Sequence, residues 1–324
     1  MQPLIKPVDK DLIINELEGK LLCKTQKANN EIYIVNAHNS PNVIREIGRL
    51  RELSFRCSGG GSGNSYDLDD FDFLEKPFEQ LIVFNPLKQE VIGGYRFLHG
   101  KNASFNQKGE PVMPMGHIFN FSKQYITDYM PFSIELGRAF IQPKYQSIKM
   151  GLKSLYSLDN LWDGLGEMIN TYDDVRYLVG KVTIYPQMQI EARYAIIFFL
   201  KHFFPDKNNL FVPIKEEIVP NNFCNFFKKK LFTEKTIKEN FRILIKYLKE
   251  RNETIPPLIK AYIELSTTMK SFGTCFDTDF GNIYDTGIMI TIDDIYDDKK
   301  ERYLSRYIQK HSAIDIIFNL NKRI

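Results

Sequence analysis

Between residues 133 and 204 the apolar pattern switches period three times, and that alternation limits the folds open to the chain. Ser133–Ile141 reads as a strand, after which Leu155, Leu158, Leu161, Trp162, Leu165, Met168 and Ile169 recur at helical spacing. Tyr177–Ile184 returns to strand and Ile190–Phe204 to helix. Such a succession predicts an α/β fold: a mixed, twisted central sheet flanked by helices. Upstream, a short helical stretch runs from Asp9 to Leu17, and Glu31–Val35 is a strand candidate. Pro41 and Asn42 open a helix carried by Val43, Ile47, Leu50, Leu53 and Ser54, with Arg45, Arg49, Arg51 and Glu52 between them. Leu81–Phe84 and Val91–Leu98, joined by a turn, predict an antiparallel hairpin.

The rest of the chain divides around this pattern. Residues 1–40 read as an N-terminal extension and 41–215 as the core. Residues 216–254 break the rhythm as a helical insertion. From Asn222 to Glu250, eight Lys/Arg stand against three Glu, with Phe223, Phe226, Phe227 and Phe232 interleaved. Such a surface suits an acidic protein partner or a lipid surface, and equally a plain insertion packed on the domain. Residues 255–296 bring the chain back to the sheet through a helix at Ile259–Leu265 and a strand at Gly287–Ile292, and 297–324 read as a charged helical tail.

Composition removes several function classes. The formal charge of +3 is too near balance for a protein that binds nucleic acid through bulk charge. The longest apolar run is seven residues, Tyr194–Leu200, too short to span a bilayer. The start lacks the apolar region of a secretory signal, and the four cysteines are far apart, which points to reduced thiols in a cytoplasmic protein. The five histidines show no metal spacing, so no metal site is expected. No histidine has an aspartate five positions on, and no serine sits in a GxSxG elbow. Asp279-Phe280-Gly281 is a chance match to a kinase tripeptide, because the partner motifs are missing. The glycines at 59–63 follow a helix and precede the acidic run Asp67–Asp72, an order that suits a flexible hinge or lid and not a phosphate cradle.

Four pieces carry chemistry. Arg51 and Phe55 share one helix face; Asp69 and Asp72 follow the loop; Arg96 ends the hairpin; Glu135 and Arg138 lie in Ser133–Ile141. Their order resembles the signature of the acyl-homoserine-lactone synthases and of the related N-acyltransferases of ornithine and glycine lipids, all of the GNAT superfamily. The chain is most similar to the "hemolysin-like" amino-acid N-acyltransferases, through residues 45–52, the triglycine loop, 158–166, 180–186 and 255–262.

The resemblance implies a GNAT fold and transfer of a 3-hydroxy fatty acyl group from acyl carrier protein to a small amino acid, glycine above all. It implies no tightly bound cofactor, a separate O-acyltransferase acting on the product, and peripheral contact with the inner face of the cell membrane. The pyrophosphate loop of the superfamily is degenerate here: Gln142 to Gly151 offers a single glycine. That favours a carrier-protein donor over acyl-CoA, although acyl-CoA stays open. The lactone synthases carry a tryptophan where this chain has glycines, which disfavours the alternative of an S-adenosylmethionine-dependent lactone synthase. A non-catalytic lipid-binding or pore-forming protein is the remaining alternative.

Acylating an amine requires removal of its proton, and Glu135 in mid-sheet is the first candidate base. Strict alternation sets Glu135 and Arg138 on opposite faces, so a β-bulge is needed to bring them together. Amides around Ala139, Phe140 and Ile141, with Gly151, would hold the acyl donor. Arg51, Arg96 and Arg138 are candidates for the acceptor carboxylate and Asp69 or Asp72 for its ammonium, with Phe55 beside them. These same charges could instead form a structural network that orders the loop. Tyr194 is the candidate acid for the leaving thiolate, or else a core tyrosine.

Overall fold

The computed structural model describes residues 1–146, 152–278 and 280–304, the side chains of 152–155 excepted. Strands β1 (Leu21–Lys24), β2 (Glu31–Val35), β3 (Glu79–Asn85) and β4 (Glu90–His99) form one antiparallel half of a sheet. The short β5 (Phe119–Phe121) lies apart from them, and β6 (Ser133–Ile141) continues the sheet. It is joined by β7 (Tyr177–Ile184), while β8 (Phe211–Pro213) pairs with β5. Strands β9 (Lys270–Asp277) and β10 (Ile283–Thr291) close an eight-stranded order β1-β2-β3-β4-β6-β7-β10-β9. The stretch 1–40, read above as an extension, is thus part of the sheet. β1 and β9 have no counterpart in the sequence reading.

One face of the sheet carries α3 (Leu152–Thr171), α4 (Ile190–Phe203), α6 (Ile237–Lys249) and α7 (Pro257–Ile263). Phe97, Ile134, Leu178, Val182 and Ile184 from the strands meet Leu165, Met168, Ile196, Phe199, Leu244 and Ile259 there. The basic segment belongs to this layer. Its α5 (Asn221–Phe226), the π-helical turn Phe227–Leu231 and α6 send Phe227, Phe232 and Phe241 into the core. Its lysines 228, 229, 230, 238, 246 and 249 stay exposed. Most of the aromatic interleaving is therefore packing, and Phe226 alone among those four phenylalanines is exposed.

The other face is shared between two apolar layers. α1 (Lys10–Leu17) and α2 (Pro41–Cys57), opened by a proline that fits the first helical turn, cover β2 to β4 through Val43, Ile47, Leu50, Ile82 and Phe84. A lobe built from residues 100–130 covers β7, β9 and β10 through Met113, Met115, Phe119, Val179, Phe272 and Met289. The chain ends its described course in α8 (Asp297–Tyr303), the start of the predicted tail. No described helix is long and apolar enough to cross a membrane.

The sheet parts at the one parallel strand pair among the described residues. β6 and β7 pair from Ser133↔Tyr177 to Leu136↔Gly180 and no further, although both strands continue. Gly180 marks the last close approach, since a Cβ there would stand 2.6 Å from the Leu136 carbonyl oxygen. Gly137–Ile141 consequently has no strand on its β7 side among the described residues.

Candidate active site

The predicted bulge is present at that parting. Between Gly94↔Phe140 and Arg96↔Gly137, the single Tyr95 of β4 opposes both Arg138 and Ala139 of β6. Arg138 takes φ 52°, a left-handed conformation that costs a non-glycine residue on the order of 1–3 kcal/mol. The extra residue turns the Arg138 side chain onto the face that carries Arg96 and Glu135.

Arg51, Asp72, Gln80 and Arg96 are fully or almost fully buried there. Arg51 donates to Gln80 Oε1 and faces both Asp72 carboxylate oxygens at 3.5 Å. Gln80 Nε2 donates to Asp72 Oδ1 at 2.8 Å. Arg96 donates to Asp69 Oδ1 at 2.5 Å and Asp72 Oδ2 at 3.2 Å. Arg138 reaches Asp67 Oδ2 at 3.0 Å and Asp69 Oδ2 at 3.4 Å. Asp69 and Asp72 also close a capping box around the turn Asp70–Asp72.

Three arginines thus face three aspartates, and each is spent on its neighbours. Burial tends to lower the Arg96 pKa, but Asp72 and Asp69 outweigh it and hold the guanidinium charged. Burial pushes the Asp67 carboxyl up against the pull of Arg138. Asp69 is raised by burial too, yet Arg96 brings it below the usual carboxylate range. Arg138, at 18% side-chain exposure, is the arginine of this network nearest to solvent. Its guanidinium lies 4.1 Å from the Phe280 ring centroid, and Phe55 meets the same ring edge-on at 5.2 Å. The side chains are close enough to form a charge network of the kind that was one of the two uses open to these residues.

Glu135 is 2% exposed and differently placed. Its Oε1 accepts the Met115 amide at 3.0 Å, while its Oε2 has no hydrogen-bond partner among the described residues. Burial pushes its carboxyl up to about 7, although the Met115 amide and the charges of Arg96 and Lys181 pull the other way. A carboxylic acid that changes charge near neutral pH, with one buried oxygen uncommitted, is equipped to exchange a proton with a bound ligand.

A second charged group on this face was not anticipated. Lys181 Nζ contacts Asp285 and lies 3.3 Å from Asp277 Oδ2, and Thr183 donates to Asp285 Oδ1 at 2.6 Å. Burial lowers the lysine's pKa, but Asp285 and Asp277 outweigh it and keep the ammonium charged. The sequence signal was available. In β7, Leu178, Val182 and Ile184 mark one face, so Lys181 must lie on the other, inside a covered sheet.

The remaining candidates separate. Phe140 is buried under α2, whereas Ala139 and Ile141 pack toward the opposite layer. Gly151 lies outside the described residues. Tyr194 is not brought to the site: it stands on α4 with its ring 5.3 Å from Phe223, in the opposite layer. Another tyrosine, Tyr185, follows β7 at the glycine loop, where it bonds Ser58 and has its ring against Gly60.

The glycine loop is not loose. The buried Glu52 carboxylate accepts from Ser62 N at 3.0 Å, Ser62 Oγ at 2.9 Å, Gly63 N at 2.8 Å and Arg56 Nε at 2.7 Å. Gly59, Gly61 and Gly63 supply the positive φ angles that let the loop fold back on it.

Comparison with known proteins bears on this geometry. A family model described as an acetyltransferase (GNAT) domain matches residues 50–155, which span Arg51 through the bulge. The chain is 44% identical over 312 residues to a glycine N(alpha)-acyltransferase of Bacteroides thetaiotaomicron, covering 96% of this chain and 92% of that one. It is 41% identical to a glycine N(alpha)-acyltransferase of Phocaeicola vulgatus, covering 96% and 95%. No solved structure matches the chain. Splayed parallel strands, a bulge at their parting and identity along nearly the whole length agree: the chain belongs to the GNAT family of amino-acid N-acyltransferases and is an acyltransferase.

Proposed function

We propose that this enzyme moves a 3-hydroxy fatty acyl group from acyl carrier protein to the amine of glycine, making the N-acyl amino acid from which a membrane aminolipid is built. The acceptor follows the names of the two relatives. The donor follows the single glycine between Gln142 and Gly151, since carrier-bound phosphopantetheine brings no nucleotide pyrophosphate to be held. The product carries one acyl chain, and a separate O-acyltransferase adds the second. Work on such substrates belongs beside the inner face of the membrane.

The observation that carries the reading is the uncommitted Oε2 of Glu135 at the parting of β6 and β7. The acceptor nitrogen attacks the thioester carbonyl carbon; the C–N bond forms, the C–S bond breaks, and the proton shed by the amine passes to Glu135. Glu135 then returns it to the departing thiolate. General-base help of this kind is worth about 10²–10⁴-fold. Arg138, the most accessible arginine of the network, offers the acceptor carboxylate its partner by exchanging an aspartate for it.

The test is incubation of the protein with a 3-hydroxyacyl-carrier thioester and a panel of amino acids, read by mass spectrometry. N-acylglycine with release of free carrier thiol is the expected result. Intact thioester with every amino acid would overturn the reading, and a larger yield with ornithine or serine would overturn the acceptor.

A further inference from the structure

Three arginines are buried among the described residues, and they differ in what meets their charge. Arg51 and Arg96 face the aspartates of the network. Arg193, 7% exposed, has no carboxylate within reach among the described residues, and its buried Nε has no hydrogen-bond partner among them. Its company is aromatic: the guanidinium lies over the Tyr284 ring, 4.0 Å from the centroid, with the Tyr194 ring at 5.9 Å. A ring takes the face of a guanidinium and leaves its in-plane N–H donors to another partner. The acids at the start of α4 are spent elsewhere. Glu191 is exposed and pairs with Arg251 at 3.1 Å, and Glu253 accepts the Gln189 amide at 2.8 Å. A buried guanidinium with uncommitted donors is costly unless an anion meets it.

The position of Arg193 narrows the anion. It stands near the start of α4, in the helical layer, across the sheet from Glu135 and the aspartates, so the acceptor's carboxylate is the wrong anion for it. Tyr284 pairs with Ile184, the end of β7, which runs about 13 Å past the parting at Gly180. Arg193 therefore flanks the open end of the parting, on the face toward which Ala139 and Ile141 pack. A donor with its thioester carbonyl at the parting and an extended pantetheine arm along this face brings its phosphate toward Arg193. A single phosphate suits one fork of N–H donors, where a pyrophosphate asks for a cradle of amides. The chain has the fork, and only one glycine between Gln142 and Gly151 for the cradle. Tyr194, next in sequence, packs on Phe223 of α5, just ahead of the exposed Lys228, Lys229 and Lys230.

We infer that Arg193 binds the phosphate of the donor's phosphopantetheine arm and so selects donors that carry it. The inference rests on the acyl-transfer reading above.

The test presents one acyl group on phosphopantetheine and on pantetheine, with glycine as acceptor. The wild type should prefer the phosphorylated donor at least about tenfold in kcat/KM, the size of a charge-assisted hydrogen bond. In Arg193→Met that ratio should fall toward one, and Arg193→Lys, which keeps the charge and loses the fork, should restore part of it. A wild type that acylates glycine without the preference would sink the inference and leave the acyl-transfer reading standing. A folded Arg193→Met that loses rate on both donors alike would also sink it, since that is the behaviour of a purely structural arginine. Calorimetry on the wild type needs no variant. Free phosphopantetheine should bind at least about tenfold more tightly than pantetheine, and equal binding would overturn the inference. Acyl-CoA and acyl-carrier thioesters both bring this phosphate; whichever Arg193→Met penalises more is the source, and no penalty on either overturns the inference. Phosphate-dependent binding with no amino acid acylated would sink the acyl-transfer reading and leave Arg193 assigned to a phosphopantetheine ligand.

Discussion

Glu135 and Arg96 lie on one face of the sheet, yet burial has opposite outcomes for them. Arg96 has two aspartates within hydrogen-bond reach and keeps its charge. Glu135 has one neutral amide, so loss of hydration dominates and its proton is held to about pH 7. The folded-state value lies above the unfolded value of 4.5, so the folded protein binds the extra proton between those limits. Stability contributed by this residue is fully present below about 4.5 and is lost as pH rises through about 7. Glu135→Gln removes that cost, and the variant should melt higher than the wild type at pH 8 (roughly) while matching it near the unfolded value. Its kcat should fall about 10²–10⁴-fold. Wild-type kcat/KM should rise with pH through about 7 and then level. Thermal melts and a pH–rate profile check both; a variant with full rate would remove Glu135 as the base.

At the scale of elements, most strands and helices could be read from the sequence because their apolar residues either keep a helical or alternating period or run on without a break, as in β3 and β4. β6, β7 and α4 follow their predicted spans to within a residue. β9 was missed because its buried run is broken by polar Ser271 and Thr274 and by Gly273 at φ 92°. The polar positions of α2 misled in another way. Spacing cannot distinguish a polar stripe facing water from one spent on internal partners, and Arg51 and Glu52 are both of the second kind. The glycine loop read as flexible because its anchor, Glu52, lies a full loop earlier in sequence. Burial alone would raise the Glu52 carboxyl, but Arg56, Ser62 and Gly63 outweigh it and hold the carboxyl below the usual range. A depressed folded-state value means the anchoring is present above the unfolded pKa of 4.5 and is lost as pH falls through the folded one. Glu52→Ala strands those donors at a cost of about 1.5–3 kcal/mol. Urea unfolding at neutral pH should show that loss, with the gap from wild type narrowing in acid, and proteolysis should cut the variant within residues 58–65. A loop that stays protected in Glu52→Ala would mean the glycines are held by something else.

For the whole molecule, the near-balanced charge conceals a separation. Asp67, Asp69 and Asp72 are paired with arginines against the sheet, whereas the lysines of the 222–250 segment lie exposed on the surface. Within that segment Lys246 meets Glu250 only at 4.0 Å, too loose to neutralise it. An acidic carrier protein drawn to this surface would be steered before it docks, and steering acts on association and weakens with salt. Changing Lys228, Lys229 and Lys230 together to Glu should therefore raise KM for the carrier-bound donor about tenfold or more at low salt and leave kcat nearly unchanged. All three side chains are exposed, so the fold should survive the reversal. Raising the ionic strength should bring the wild type toward the variant, because the attraction lost by mutation is the one that salt screens. The same acyl group on a short pantetheine thioester carries no acidic protein and should show no difference between the two enzymes. Equal penalties on carrier-bound and free thioesters would instead place the lysines' effect in the folded state, and no penalty on either would move carrier recognition to another surface.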